Sequence, residues 1–245
     1  MEIFTQEGFA FLSRWLHYLS GITWIGLLFY FNFVQVPSFA TFEASSRTEA
    51  MTKLVPRALW WFRWGAVFTA VSGIFILGFQ EQFDSDYFKS TPGTSILTGM
   101  LFGFTMLGNV WGVIWPNQQI GIASAQSVIG GGPADPRAAD AARRGFLASR
   151  TNTLLSIPML FFMAATSHFA PSSHFEFFPG GALWLYWVLV LAIWGALEAN
   201  ALGFINGTGP SQSKLPLETV RNVIISGFVV MAVIYVVGWE IILRA

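Results

Sequence analysis

Three histidines, His17, His168 and His174, are the only imidazoles in a chain that has no cysteine. The missing thiols exclude disulfides, iron–sulfur clusters held by cysteine, thiolate zinc sites and covalently attached c-type haem. Transition-metal or haem chemistry must therefore run through imidazole, with seven methionines as a softer and less diagnostic alternative. His17 and His168 both lie in apolar stretches, RWLHYLSGITWIG and MLFFMAATSHF. Ser20 and Gly21 follow His17 by one helical turn, and Ala164 and Ala165 precede His168 by one. Residues three and four apart share a helix face, so these small side chains leave room for a flat macrocycle. Two histidines on facing helices are a common means of holding haem inside a bundle. His17 and His168 are thus the candidate axial ligands of a haem b, or ligands of a metal ion, and Arg14, one turn earlier, is placed for a haem propionate. The competing reading makes each an interfacial residue that donates to a backbone carbonyl or water. His174, in HFAPSSHFEFF, reads as a solvated loop residue, with a surface metal site beside His168 as the weaker option.

The elements that must position these residues follow from composition. Of 245 residues, 54% are hydrophobic, 17% aromatic and only 11% charged, with 13 basic against 13 acidic side chains. Mean hydropathy is +0.56. A soluble domain carries about a quarter charged residues. Such a chain cannot solvate its own surface, and it lacks the basic stripe of a nucleic-acid binder. A bilayer crossing needs about 20 mostly apolar residues. Six stretches qualify: 15–36, 59–80, 94–115, 152–170, 181–205 and 222–243. The expected fold is an all-α integral membrane protein, a single bundle of about six transmembrane helices.

Lys and Arg set the orientation. Arg47, Lys53, Arg57 and Arg63, then Arg137, Arg143, Arg144 and Arg150, then Lys214 and Arg221 fall on one side of a six-span arrangement. Arg14, Lys89 and Arg244 fall on the other. The Arg-rich side is expected to be cytoplasmic, with both termini outside and the protein in a bacterial inner membrane. MEIFTQEGFAF has no basic n-region and no cleavage site, so the first span reads as retained. This orientation brings His17 and His168 to the same outer depth. Tryptophans at the span ends, among them Trp60, Trp61, Trp64, Trp111 and Trp115 inside and Trp15, Trp184, Trp187 and Trp239 outside, read as aromatic belts. The connection 116–151 is expected to be a cytoplasmic loop broken at Gly130–Pro133, with a helical stretch 134–150 and Asp135 near its start as a cap.

Polar residues inside a membrane default to functional candidates. Glu198 is expected near the inner end of the fifth span, as a helix-end acid or a proton-relay group, and Glu240 near the outer end of the sixth. Asn109 and Pro116–Gln119 read as a helix stop with amide hydrogen bonds to neighbouring helices. Gly99, Gly103 and Gly108 suit close packing.

These stretches carry a family likeness. RWLHYLSGITWIGLLFYF (14–31), WWFRWGAVFTAVSGI (60–74), GNVWGVIWPNQQ (108–119) and, most specifically, RTNTLLSIPMLFFMAATSHF (150–169) resemble the membrane-bound urate oxidase (urate hydroxylase) N-terminal family. The resemblance implies a helical membrane domain which, in the family's full form, passes electrons from urate to a C-terminal cytochrome c domain. It also supports the pair His17 and His168. The chain departs from the pattern in a short first loop, in Trp61 where a histidine is expected, and in having no cysteine for a c-type haem. Three functions are in view. One is a haem b protein in electron transfer at the outer face, partnered by a cytochrome. Another is a non-enzymatic subunit of a larger membrane complex. The third is a urate or purine oxidoreductase, with Arg57, Arg63 and Gln118 as its loose candidates.

Overall fold

The computed structural model describes residues 2–168 and 177–244, and they are almost wholly helical. The only extended pairing among them is a single bridge, Ser90 to Phe177. The helices are α1 (Gln6–Phe29), α2 (Val36–Thr41), α3 (Ala44–Lys53), α4 (Val55–Phe79), α5 (Ser85–Lys89), α6 (Thr91–Asn109), α7 (Trp115–Ile129), α8 (Ala138–Ala165), α9 (Gly180–Ala201), α10 (Leu215–Glu218) and α11 (Val220–Val233). Short π-helical segments, Tyr30–Gln35 and Val110–Ile114, join α1 to α2 and α6 to α7 without a break, and a third, Ile234–Leu243, extends α11. The first two each stand just before a proline, Pro37 and Pro116. A proline ring inside an α-helix collides with the carbonyl four residues back, and the wider π turn relieves that clash.

Five helical rods are long and apolar enough to cross a membrane: Gln6–Thr41, Val55–Phe79, Thr91–Ile129, Gly180–Ala201 and Val220–Leu243. Six stretches were expected. The difference is the fourth, 152–170, which lies in α8, whose first half (AADAARRGFLASR) is polar and whose apolar half ends at Ala165. α8 packs on α6, α7, α11, α9 and α1, with every residue from Arg150 to Ser156 buried and Leu160 exposed. A stretch enclosed by protein needs no apolar coat, which is why its composition is mixed. The expected loop 116–151 is largely helix as well, α7 running to Ile129 and α8 starting at Ala138. Asp135 does not cap α8; its carboxylate accepts from the Arg137 backbone and side chain in the turn before it.

The outer surface is aromatic and aliphatic. Trp15, Trp60, Trp61 and Trp184 are exposed, as belts require, and Arg63 lies with its guanidinium carbon 3.5 Å from the Trp115 ring centre and 5.1 Å from that of Trp111. Trp239 is the exception to the expected outer belt. It is buried against Phe162, Phe178 and Tyr186.

Candidate functional site

The pair α1 and α4 builds the first half of the site. They cross closely because Gly65 leaves space: a Cβ there would stand 3.2 Å from the Trp24 nitrogen and 3.4 Å from the Ser20 carbonyl. His17, Ser20, Trp24 and Leu28 repeat at helical spacing along the α1 face that meets α4. Beyond the crossing, Gly73 admits the His17 ring, and a Cβ at Gly73 would come within 3.2 Å of its Cε1. The His17 Nδ1 lies 2.8 Å from the Thr69 carbonyl and 3.3 Å from the Ser72 hydroxyl. A carbonyl only accepts, so Nδ1 carries the proton and Nε2 of the neutral ring keeps its lone pair. Among the described residues Nε2 has no protein partner.

That lone pair belongs to a side chain lining an apolar cavity of about 100 Å³, open along one side. His17 and Trp24 of α1, Gly73 of α4, Met100 and Gly103 of α6, and Met159 and Met163 of α8 form its walls. That volume is below the range of enclosed small-molecule pockets, so a larger ligand would extend through the open side. Three thioethers and one imidazole are its only metal-binding groups. The Trp24 indole N–H, buried and without a hydrogen-bond partner among the described residues, is a spare donor on the same helix face. Gly99 and Gly103 let α8 approach α6: a Cβ at Gly99 would meet Met163 at 3.0 Å. The third glycine expected to pack closely, Gly108, has open space beside it.

His17 and His168 do not meet. α1 begins at Gln6, not at Trp15, so His17 is eleven residues into the helix, about 16 Å along its axis. His168 lies past the end of α8, exposed, with Nδ1 2.8 Å from the Ala164 carbonyl of its own helix. It does not line the cavity. Arg14 is exposed, one turn before His17 on α1. His174 lies outside the described residues. No group of three or more His, Cys, Asp or Glu residues able to hold a metal ion occurs among the described residues. The sequence offers seven methionines as less diagnostic ligands and does not single out these three, because thioethers also fill irregular gaps in ordinary cores.

A second polar locus lies near the C-terminal ends of α6 and α9. Glu198 is buried, and its two carboxylate oxygens are 3.1 and 3.2 Å from Asn109 Nδ2. The same amide donates to Asn152 Oδ1 of α8, whose own amide donates to the Met106 carbonyl. Glu240, by contrast, is a helix-end acid: it accepts from Arg244 and from the Tyr235 hydroxyl.

The family model described as urate oxidase N-terminal matches residues 82–232. The chain belongs to that family. The matched stretch runs from the start of the α5 region into α11 and takes in Met100, Met159, Met163, Asn109, Asn152 and Glu198. His17 stands before it, so the imidazole side of the cavity comes from outside the region that defines this urate oxidase N-terminal member, and the thioether side from within. No curated protein and no solved structure matches the chain.

Proposed function

We propose that this urate-oxidase-like membrane protein carries a haem b in the cavity beside His17 and serves electron transfer near the outer face of a bacterial inner membrane. One observation supports the reading above others: His17 is pinned through Nδ1 to the Thr69 carbonyl while its Nε2 is left free in an apolar cavity. A backbone acceptor on the far nitrogen is the usual way a ligand histidine is oriented and made more basic. The lining suits the group, whose macrocycle would extend through the open side of the cavity. The walls are apolar, Gly73 and Gly103 remove side-chain bulk, and the donors are those a haem iron accepts. Haem supplies one-electron chemistry when bound. The protein's share is to hold His17 by Thr69 and Ser72, to exclude water with the α6 and α8 side chains, and to offer Arg14 on the outward side to a carboxylate. Met100, Met159 and Met163 also line the cavity and His168 does not, so a thioether would complete the donor set. The electron partner in this reading is a cytochrome or another subunit of a membrane complex.

The test is the reduced-minus-oxidised absorption spectrum of the purified protein. A b-type band is expected in the wild type and in His168→Ala, and is lost in His17→Ala with helix content unchanged. A band that persists in His17→Ala overturns the assignment. The family match favours a second reading, oxidation of urate or a related purine with a separate cytochrome as acceptor. Its sequence candidates do not converge on a cavity: Arg57 is exposed, and Arg63 is engaged with Trp111 and Trp115. Urate-dependent reduction of added cytochrome would establish it.

A further inference from the structure

Two parallel helices, α6 and α9, are joined by a ladder of side-chain hydrogen bonds. Thr98 meets the Tyr186 hydroxyl at 2.8 Å, Trp194 Nε1 donates to Thr105 Oγ1 at 2.8 Å, and Asn109 donates to Glu198. The first two rungs are neutral and matched, one donor to one acceptor. The third is neither. An ionised carboxylate offers about four acceptor positions, and Glu198 receives one amide group shared between both oxygens. The other hydrogen of that amide is taken by Asn152 Oδ1 at 3.0 Å. Among the described residues Glu198 is the only buried carboxylate, and none of the ion pairs involves it. A glutamine would complete the ladder without placing a charge in a dry environment, so the carboxyl group exceeds what the structure needs.

Among the described residues no basic side chain pairs with Glu198. α6, α7 and the π-helical segment between them contain no charged residue and no histidine, and Glu198 is alone of its kind on α9. On α8, Arg143 is bound to Glu218; Arg150 is buried with Nε and Nη1 unpartnered among the described residues, its guanidinium carbon 5.0 Å from the Phe146 ring centre, and it forms no ion pair with Glu198. Lys214 gives its protons to Asn200 and Ile205, and Arg221 of α11 is exposed. The charge must be met by an exchangeable species of small size.

We propose that Glu198 is a proton-binding site of this protein, loaded from the side of the membrane where α9 ends. The step is the transfer of one proton from water to one carboxylate oxygen, giving the neutral acid, and its return. Asn109, held in orientation by Asn152, donates to the ionised form. Glu198 stands three residues before the end of α9, which gives the proton a short path to the adjoining loop. This inference is independent of haem and holds whether or not the cavity at His17 carries one.

Infrared difference spectroscopy of the whole protein in lipid nanodiscs, titrated between about pH 5 and 9, tests it. A protonated-carboxyl C=O band is expected that grows as pH falls, shifts in D₂O, and is missing from Glu198→Gln. Glu198→Asp, which keeps the acid, is expected to move the band and not delete it, and serves if the glutamine variant does not fold. Asn109→Leu removes the donor to the ionised form and is expected to enlarge the band at neutral pH. Absence across this range of any band that Glu198→Gln removes overturns the proposal. So does a band that added sodium or potassium abolishes at constant pH, since that identifies a metal-cation site instead.

Discussion

His17 draws its chemical character from one contact, the Thr69 carbonyl on its Nδ1, and that contact depends on the missing side chain at Gly73. Gly73→Val places a branched side chain against the ring, since even a Cβ would lie 3.2 Å from Cε1. The imidazole must then turn away, and the expected result is at least a tenfold loss of haem affinity, read by haem titration, with the helical circular dichroism retained. The sequence carried His17 as a candidate but not its setting. The close crossing at Gly65 and the start of α1 nine residues before Trp15 determine its depth and its partner, and neither is a property of the residues around it. His168 looked equivalent because both histidines stand at the edge of an apolar run; the end of α8 at Ala165 puts it outside the cavity. The methionines stood in the sequence as seven undistinguished alternatives; the packing of α8 on α6 selects Met100, Met159 and Met163.

At the scale of elements, the ladder between α6 and α9 replaces close backbone packing. Thr98→Val deprives the buried Tyr186 hydroxyl of its partner, and a loss of about 1–2 kcal/mol in unfolding free energy is expected, measured by denaturation in detergent micelles. The end of α9 is held by Lys214, buried in its loop, with Nζ 2.7 Å from both the carbonyl and the side-chain oxygen of Asn200 and 2.8 Å from the Ile205 carbonyl. Cations at a helix C-terminus satisfy its last carbonyls. Lys214→Met leaves those acceptors unpaired and should cost about 3 kcal/mol by the same assay. Neighbouring Arg143 grips Glu218 at 2.6 and 3.1 Å and holds its carboxyl below the usual value. A carboxyl depressed in the folded state stabilises above its unfolded pKa, so stability is expected to fall as pH drops below about 4.5. Arg143→Met should flatten that acid limb. With 31% of the Glu218 side chain exposed, the effect is small. Of these pairings the sequence offered only Asn109, as an amide bonding to neighbouring helices; it did not show that Thr98, Thr105 and Asn109 share a face with partners on a helix more than 80 residues away.

For the whole molecule, the apolar stretches and the all-helical class were legible because hydrophobic runs of bilayer length have few other uses. α8 was less so. Its stretch from Arg150 to Ser156 is buried by its neighbours, and protein enclosure tolerates the polar residues that lipid exposure forbids. Its Pro158 frees the Leu154 carbonyl, and Gly227 of α11 sits against that carbonyl, where a Cβ would stand only 2.9 Å away and 2.5 Å from Ile157 Cδ1. Gly227→Leu is expected to push α11 off α8 and prevent stable folding, seen as loss of a monodisperse peak on gel filtration. The cysteine-free sequence allows a clean test of orientation. A single cysteine at Asp84 should react with a membrane-impermeant maleimide in intact cells, and one at Gly131 only after permeabilisation.

The most direct test of the haem assignment is the haem content of the purified full-length chain, taken as a pyridine haemochrome with metal analysis on the same sample. One b-type haem and one iron per chain in the wild type, close to none in His17→Ala, and the wild-type amount in His168→Ala is the expected result. A wild-type protein that folds and contains no haem under haem-replete expression, or a His17→Ala variant that retains the full complement, would contradict it.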